Sequence, residues 1–586
     1  MTAGATRGRA TRRERVLLGL AAVAVGFAAA DNYVVVLALP DMMGATGLSA
    51  EELQRAAPIV SGFLLGYIVV LPLIGRVADL RGRVPVLVGC LVIFALGSLL
   101  TATAYDLGSV VAGRVVQGVG AGGLLPPTLA LVADLYPPRR RGLPLGLVGA
   151  VQELGNVLGP VYGALVLAFA SWRTIFWINL AAGLVLAAVL TRTEGETRRR
   201  RPDWLGLGLA ASVVGCLVGV MAEPGWLATD VTWGRVLVPV TGGSRWLTPL
   251  AFAGLVSLGL LVVRCLVARS PVVDLADWGR TLAQVDLPSA LLLSVALAGV
   301  ILAFATADAE VQVVSPAGPW LLLLSAGAGA LFWRRNGKVA HPLVLPGAVA
   351  GTPAWGALVV SFFIGAAVIA ALVDIPLFAR LTAYHDSQVL AAMVLVRFLV
   401  GLPVGAVCGG WLTRRLNAGV VTAAGMLVAA SGFGWMARWP YEALDSPSAN
   451  LPLVLAGLGI GLAMAPVSAA LLSSAPAQAH GSASALLIVA RTIGKLVGIS
   501  VLTSAGLHRF YVARADVPSP EEVCGAGQSR CSELNRLLQD VALVQLHTVF
   551  AGAAVSCLVA GAVALLVFRH ADTREVAMSA WGPRVG

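Results

Sequence analysis

Asp31, Glu153 and Arg491 stand inside long apolar runs, where an ionisable side chain is costly to keep. On insertion scales a charge near the centre of a bilayer costs about 2.5–3.5 kcal/mol, so such residues are read first as functional. Burial raises a carboxylate's pKa and a nearby guanidinium lowers it again, which makes proton uptake switchable by a change of neighbours. Asp31 and Glu153 are therefore read as groups that bind and release protons. Arg491 would pair with an acid in one access state and lose it in the other; a permanent ion pair that fixes helix packing is the competing reading. Lys495 follows Arg491 by four residues, one turn along the same helical face. Two neighbouring cations require an acid or an anionic lipid headgroup, unless Lys495 snorkels toward the outer surface. Arg397 and Asp374 raise the same question of substrate or lipid contact. For Asp374, near the outer end of its span, the alternatives are a gate or simple solvation.

Enzyme chemistry finds little support. The six histidines are scattered (His341, His385, His480, His508, His547 and His570), with no metal spacing and no G-x-S-x-G elbow. His385-Asp386 is a lone adjacent pair that reads as loop. The expectation is a transporter that needs no cofactor and no metal, driven by the proton motive force. Five cysteines lie in or beside apolar runs and read as small buried hydrophobes. Cys524 and Cys531 share a polar stretch assigned to the outside, where a disulfide can form.

The elements that must hold these residues are membrane helices. Of 586 residues, 58% are hydrophobic and 12% charged, too few charges to wet the surface of a soluble protein this long. Apolar runs of about twenty residues, enough to cross a bilayer, recur almost from end to end. The formal charge of +11 does not indicate nucleic acid, because the arginines cluster in short connections: Arg76, Arg81 and Arg83; Arg139 to Arg141; Arg198 to Arg201; Arg334 and Arg335; Arg414 and Arg415. That is the positive-inside pattern, and it places both termini in the cytoplasm.

Six spans are expected near 16–40, 56–75, 84–104, 107–133, 143–169 and 174–191. Four more fall near 204–222, 247–268, 287–305 and 318–333, the last short enough to be re-entrant. These four resemble one hairpin written twice, opened by Asp203 and again by Asp286. Another six follow near 353–378, 388–412, 418–436, 451–475, 483–506 and 541–568, with a long outside loop from 507 to 540 into which helix eleven can project. The division is a six-helix bundle over 1–195, a linker of two to four (by this count four) transmembrane helices over 196–345, and a second six-helix bundle over 346–586. By helix length, Glu153 lies roughly 18 Å beyond Arg141 and Arg491 roughly 16 Å beyond His480, so both sit near mid-membrane in opposite halves.

Three motifs carry a resemblance. Gly75-Arg-Val-Ala-Asp79-Leu-Arg81-Gly82-Arg83 has the spacing G-x-x-x-D-x-x-G-R, Arg114-Val-Val-Gln117-Gly118-Val-Gly120 lies in helix four, and Gly146, Gly155, Gly159, Pro160 and Gly163 follow G-x8-G-x3-G-P-x2-G in helix five. Together they resemble the major facilitator superfamily and its drug:proton antiporter branch. The resemblance implies an all-α integral membrane fold of two six-helix bundles. It also implies a conformational-switch loop in which Asp79 faces the positive end of a helix dipole and Arg83 joins a charge network with Asp134, and a buried Arg114 linked to proton coupling. Close approach of helices is expected at the helix-five glycines, and bending at Pro160.

Further segments, among them Asp31-Asn-Tyr-Val-Val-Val, Gln152-Glu153-Leu-Gly-Asn-Val-Leu-Gly-Pro160 and Leu372-Val-Asp374-Ile-Pro-Leu-Phe378, resemble the mycobacterial exporters of triacylglyceride and related lipids, which work with a periplasmic lipoprotein. The similarity does not extend over about 280–340. It implies a monomeric, proton-coupled exporter of apolar lipids in a bacterial inner membrane, with membrane lipids and a periplasmic lipoprotein as partners; a multidrug:proton antiporter is the second reading.

Overall fold

The computed structural model describes residues 11–48, 53–137, 140–193, 203–230, 232–268, 271–305, 314–339, 342–345, 349, 351–384, 388–476, 479–518, 523–524 and 531–571. Arg139, Arg198 to Arg201, His341, His385 and Asp386 lie outside the described residues. Helices dominate throughout: α1 (Arg12–Ala45), α2 (Leu53–Arg81), α3 (Arg83–Ala102), α4 (Leu107–Gly122), α5 (Leu125–Leu135), α6 (Gly142–Phe169) and α7 (Trp172–Thr193) come first. The linker holds α8 (Trp204–Ala222), the short α9 (Gly225–Ala228), α10 (Pro249–Val267), α11 (Leu275–Ala283), α12 (Leu287–Ala305) and α13 (Gly318–Asn336). Then follow α14 (Thr352–Thr382), α15 (Gln388–Leu412), α16 (Ala418–Met436), α17 (Asn450–Ser474), α18 (His480–Ala515) and α19 (Ser532–Val567).

Among the described residues twelve helical segments are long and apolar enough to cross a membrane, and α2 adds a thirteenth if its two arms count as one span. Those arms meet at 46° on either side of residue 72. The segments α4 and α5 form one span interrupted at residues 123–124. α1 and α6, of 34 and 28 residues, also exceed the length a crossing needs. In the linker α8, α10 and α12 meet the test, whereas α13, which ends in Arg334 and Arg335, is not among the spans.

Two other expectations change. The switch motif is mostly helix rather than loop, because α2 continues through Asp79 to Arg81 and only Gly82, with φ +95°, breaks it before α3; an L side chain there would be strained. The outside loop at 507–540 is largely helical too. α18 and α19 each run 36 residues, about 54 Å at 1.5 Å per residue, well beyond the hydrocarbon core. Cys524 and Cys531 are joined by a disulfide, Cα to Cα 5.6 Å, in the connection between them.

One buried cluster lies wholly within α14–α19 and the segments around them. A second joins α1–α7 with α12, α17 and α18, so the halves share a core. They meet through α2 and α5 against α18, and α6 against α15 and α17. These meetings fall on the side that carries the basic connections. A Cβ on Gly75 would stand 2.7 Å from the Gly481 carbonyl oxygen, one on Gly142 2.5 Å from that of Gly410, and one on Gly146 2.4 Å from that of Ala406. The molecule is closed on its arginine-rich side.

Candidate functional site

The switch motif locks that closed side. Asp79 accepts hydrogen bonds from the backbone N–H groups of Gly481 (3.1 Å) and Ser482 (3.3 Å) at the start of α18. Unpaired N–H groups and the helix dipole both favour an anion at that position. Arg83 donates to Asp79 at 2.5 Å and to Asp134 at 2.9 Å. One carboxylate thus holds the first half's α2 to the second half's α18, and one guanidinium holds that carboxylate in place.

Deeper in the first half, Arg114 is fully buried and donates to Asp31 at 2.6 Å, to Gln117 Oε1 at 2.6 Å and to the Ile59 carbonyl at 3.3 Å. Its guanidinium lies over the Phe63 ring, 4.3 Å from the centroid. Asn179 donates to the other oxygen of Asp31, and Gln117 donates onward to Ser98 at 3.0 Å. Every described partner in this network belongs to α1–α7. Arg114 Nη2 is left without one. Asn179 and Ser98 were not singled out from the sequence; a polar side chain interrupting an apolar span is the signal that marks them.

Glu153, 3% exposed, sits at the boundary between the halves. It accepts a hydrogen bond from Asn156 at 2.8 Å and lies within electrostatic reach of Arg491 and Lys495 on α18. Arg491 Nε donates to Ser361 Oγ at 3.3 Å, and that hydroxyl donates to the Leu487 carbonyl. The two acids therefore differ: Asp31 is paired with a cation inside one half, and Glu153 bonds to Asn156 of its own helix within electrostatic reach of cations on the other.

These cations line a cavity with about 700 Å³ of atom-free space, its open mouth included. Val25, Ala28, Phe63, Leu64 and Ile488 are among its apolar wall residues; Tyr67, Gln152, Asn156, Arg491, Thr492 and Lys495 supply the polar groups. Neither Arg397 nor Asp374 is among the lining residues. Asp374 is 2% exposed within α14, which corrects the reading of a solvated outer carboxylate: the helix continues eight residues past it, and its neighbours close over it.

The helix-five glycines divide between two neighbours. A Cβ on Gly155 would come within 2.0 Å of the Gly26 carbonyl oxygen, one on Gly159 within 2.3 Å of that of Ala30, and one on Gly163 within 2.6 Å of a Val34 methyl, all on α1. Gly146 instead meets α15 of the other half. Pro160 lies within α6. The same helix thus presses the Asp31-bearing α1 on one side and the partner half on another, with Glu153 between.

This fold and site are those of a transporter. The chain belongs to the Major Facilitator Superfamily, which it matches over residues 21–334. It is 35% identical over 537 residues to a triacylglyceride transporter of Mycobacteroides abscessus, with 90% of this chain and 89% of that protein covered. A triacylglyceride transporter of Mycolicibacterium smegmatis is 33% identical over 99% of this chain and 91% of its own length, and one of Mycobacterium tuberculosis 32% over 97% of each. Among solved structures, the human organic anion transporter MFSD10 shares the fold, with a TM-score of 0.51 at 14% identity, over 94% of this chain and 99% of that one. The protein is a multi-span membrane transporter, not an enzyme.

Proposed function

We propose that the protein exports apolar lipids of the triacylglyceride type across a bacterial inner membrane, with both termini cytoplasmic, and that proton flow drives the cycle. The observation that carries the cargo reading is the cavity, where apolar wall residues such as Val25, Phe63, Leu64 and Ile488 stand beside the donors Arg491, Lys495, Tyr67 and Asn156. A triacylglyceride presents ester oxygens that only accept hydrogen bonds, attached to hydrocarbon chains, which suits donors set within a partly apolar wall. Two cations in the wall disfavour the lipophilic cations that multidrug antiporters commonly carry, since like charges repel strongly where water is scarce. Its similarity to mycobacterial triacylglyceride transporters supports the same reading.

Coupling rests on Glu153. Its cationic neighbours belong to the other half, so rocking the halves changes its surroundings, while Asp31 travels with Arg114. Protonation of Glu153 weakens its hold on Arg491 and Lys495 and favours separation of the halves on the arginine-rich side. A monomer suffices for this cycle; a periplasmic lipoprotein would receive the lipid.

The cargo test uses proteoliposomes with a fluorescent triacylglyceride or a fluorescent lipophilic cation. Expected is flux of the triacylglyceride and none of the cation above protein-free vesicles. Flux of the cation alone would make the protein a drug antiporter.

A further inference from the structure

Two hairpins fill the linker, and they are built alike. In the first, Arg264 on α10 grips Asp203 at the start of α8 through Nε and Nη2, at 3.0–3.4 Å. In the second, Arg335 on α13 grips Asp286 at the start of α12 in the same two-pronged way, at 2.9–3.2 Å. Their surroundings differ. Of the first hairpin's α10 only 6% is buried. The second lies along the line where the halves meet, with α12 packed on both α2 and α18.

That line borders the cavity, whose wall includes Leu64 and Tyr67 of α2 and Ile488, Thr492 and Lys495 of α18. The opposite seam, α6 against α15, is closed by direct contact of backbones at Gly142, Gly146 and Gly410 and has no covering helix among the described residues. Among the described residues, only the α2–α18 seam carries an additional element between it and the lipid.

The cover is fastened unevenly. Its described polar ties run to the first half: Ser294 donates to the Val69 carbonyl at 3.1 Å, and α11, just before α12, is held by Arg81, which donates to Asp277 at 2.5 Å and stacks on Trp278 at 4.5 Å. Toward α18 the hairpin contributes Leu297 and Ile301 to a buried cluster shared with Ile488 and Leu496. Within the hairpin, Ser325 donates to the Ala296 carbonyl, and Gly299 lets α13 approach closely. Its far face is hydrocarbon, with Leu291 and Leu323 about two-thirds exposed.

We propose that the α2–α18 seam is the portal through which acyl chains pass between the bilayer and the cavity, and that α12–α13 is its door, hinged on α2 and resting on α18. The proposal builds on the lipid-transport reading. Clamped together by Asp286 and Arg335, the hairpin moves as one body with the first half. When α2 parts from α18, the door leaves α18 and the seam opens to hydrocarbon.

The test places a photoreactive benzophenone amino acid at position 492, with Cys90, Cys216, Cys265, Cys408 and Cys557 replaced, in phospholipid vesicles. The readout is the mass-detected adduct with phospholipid acyl chains, which needs no knowledge of the cargo. The cysteine pair I301C and L496C, taken from the buried cluster the door shares with α18 and bridged by a short cleavable bis-maleimide, pins the door to α18; A296C with S325C, bridged likewise, stiffens the hairpin without fastening it. Adduct yield follows the fraction of molecules with an open door, so pinning is expected to lower it by about fivefold or more and cleavage to restore it, while the internal bridge leaves it unchanged. An unchanged yield on pinning, or an equal loss from both bridges, overturns the portal. Triacylglyceride flux in the same vesicles separates the two ideas: no flux in the unbridged protein with a pinning-sensitive adduct removes the cargo reading alone, and full flux through the pinned protein removes the portal.

Discussion

At the scale of single residues, Asp31 and Glu153 look alike in the sequence and have different partners in the structure. Both are acids in apolar runs, and both are shielded from water, at 1% and 3% exposed. The bond from Arg114 to Asp31 joins residues 83 positions apart, a partnership that spacing along one helix cannot reveal. Removing one member of a buried pair leaves the other uncompensated, which typically costs about 3–5 kcal/mol. R114A should therefore unfold at a clearly lower temperature in detergent than the wild type. R114Q combined with D31N should recover much of the loss, because two neutral groups can bond to each other. Equal midpoints for R114A and wild type would remove the structural role assigned to the pair. Legible in advance was which residues are costly to bury; illegible was which acid meets which cation, since that is decided by the packing of distant spans.

At the scale of helices, the glycine spacing in α6 announced close approach but not its targets. The structure assigns Gly155, Gly159 and Gly163 to α1, and Gly146 to α15. G155V puts branched carbons where the Gly26 carbonyl stands 2.0 Å from an added Cβ. Overpacking of this kind costs about 1–3 kcal/mol and often more when backbone is the obstacle; size-exclusion profiles should show aggregation or loss of yield, while G149V, at a glycine with nothing within 4 Å, should not differ from the wild type. α11 went unrecognised because nine residues between apolar runs carry too short a pattern; its Asp277 and Trp278 matter only once Arg81 is found beside them. The projecting end of α18 was legible from its lack of helix breakers, whereas the polar start of α19 was hidden for a related reason, since polar helix outside a bilayer has the composition of a loop. The repeated linker hairpin was visible through Asp203 and Asp286, whose arginine partners were not. Burial pushes the Asp286 carboxyl up, but the bonds from Arg335 and Ser289 outweigh this and hold it below the usual carboxylate range. A depressed folded value contributes stability at every pH above the unfolded value of about 4, lost as pH falls through the folded one. Limited proteolysis of the linker should accelerate below about pH 4, and D286N should be cleaved readily at neutral pH with a flatter acid dependence. An acid dependence identical in D286N and wild type would place the titrating group elsewhere.

At the scale of the whole molecule, the structure captures two halves closed on the arginine-rich side by Asp79 on the N-terminus of α18 and by glycine contacts of α6 with α15. The cavity lies on this interface, with its cations on one half and Glu153 on the other. Such a layout allows a single proton to alter the attraction between the halves, because the charge it neutralises is the one facing across them. The two-bundle plan followed from hydropathy and basic clusters, since the bilayer leaves few alternatives to helices. The closed state and the sharing of charges between halves could not be read there, being properties of one arrangement among those the sequence permits. The most direct measurement is lipid flux in proteoliposomes, with and without an imposed proton gradient, for the wild type and E153Q. The account predicts that the gradient accelerates wild-type flux about tenfold, the effect of roughly 1.4 kcal/mol on one equilibrium, and that E153Q shows one slow rate in both conditions. Acceleration of E153Q by the gradient to the wild-type extent would contradict it.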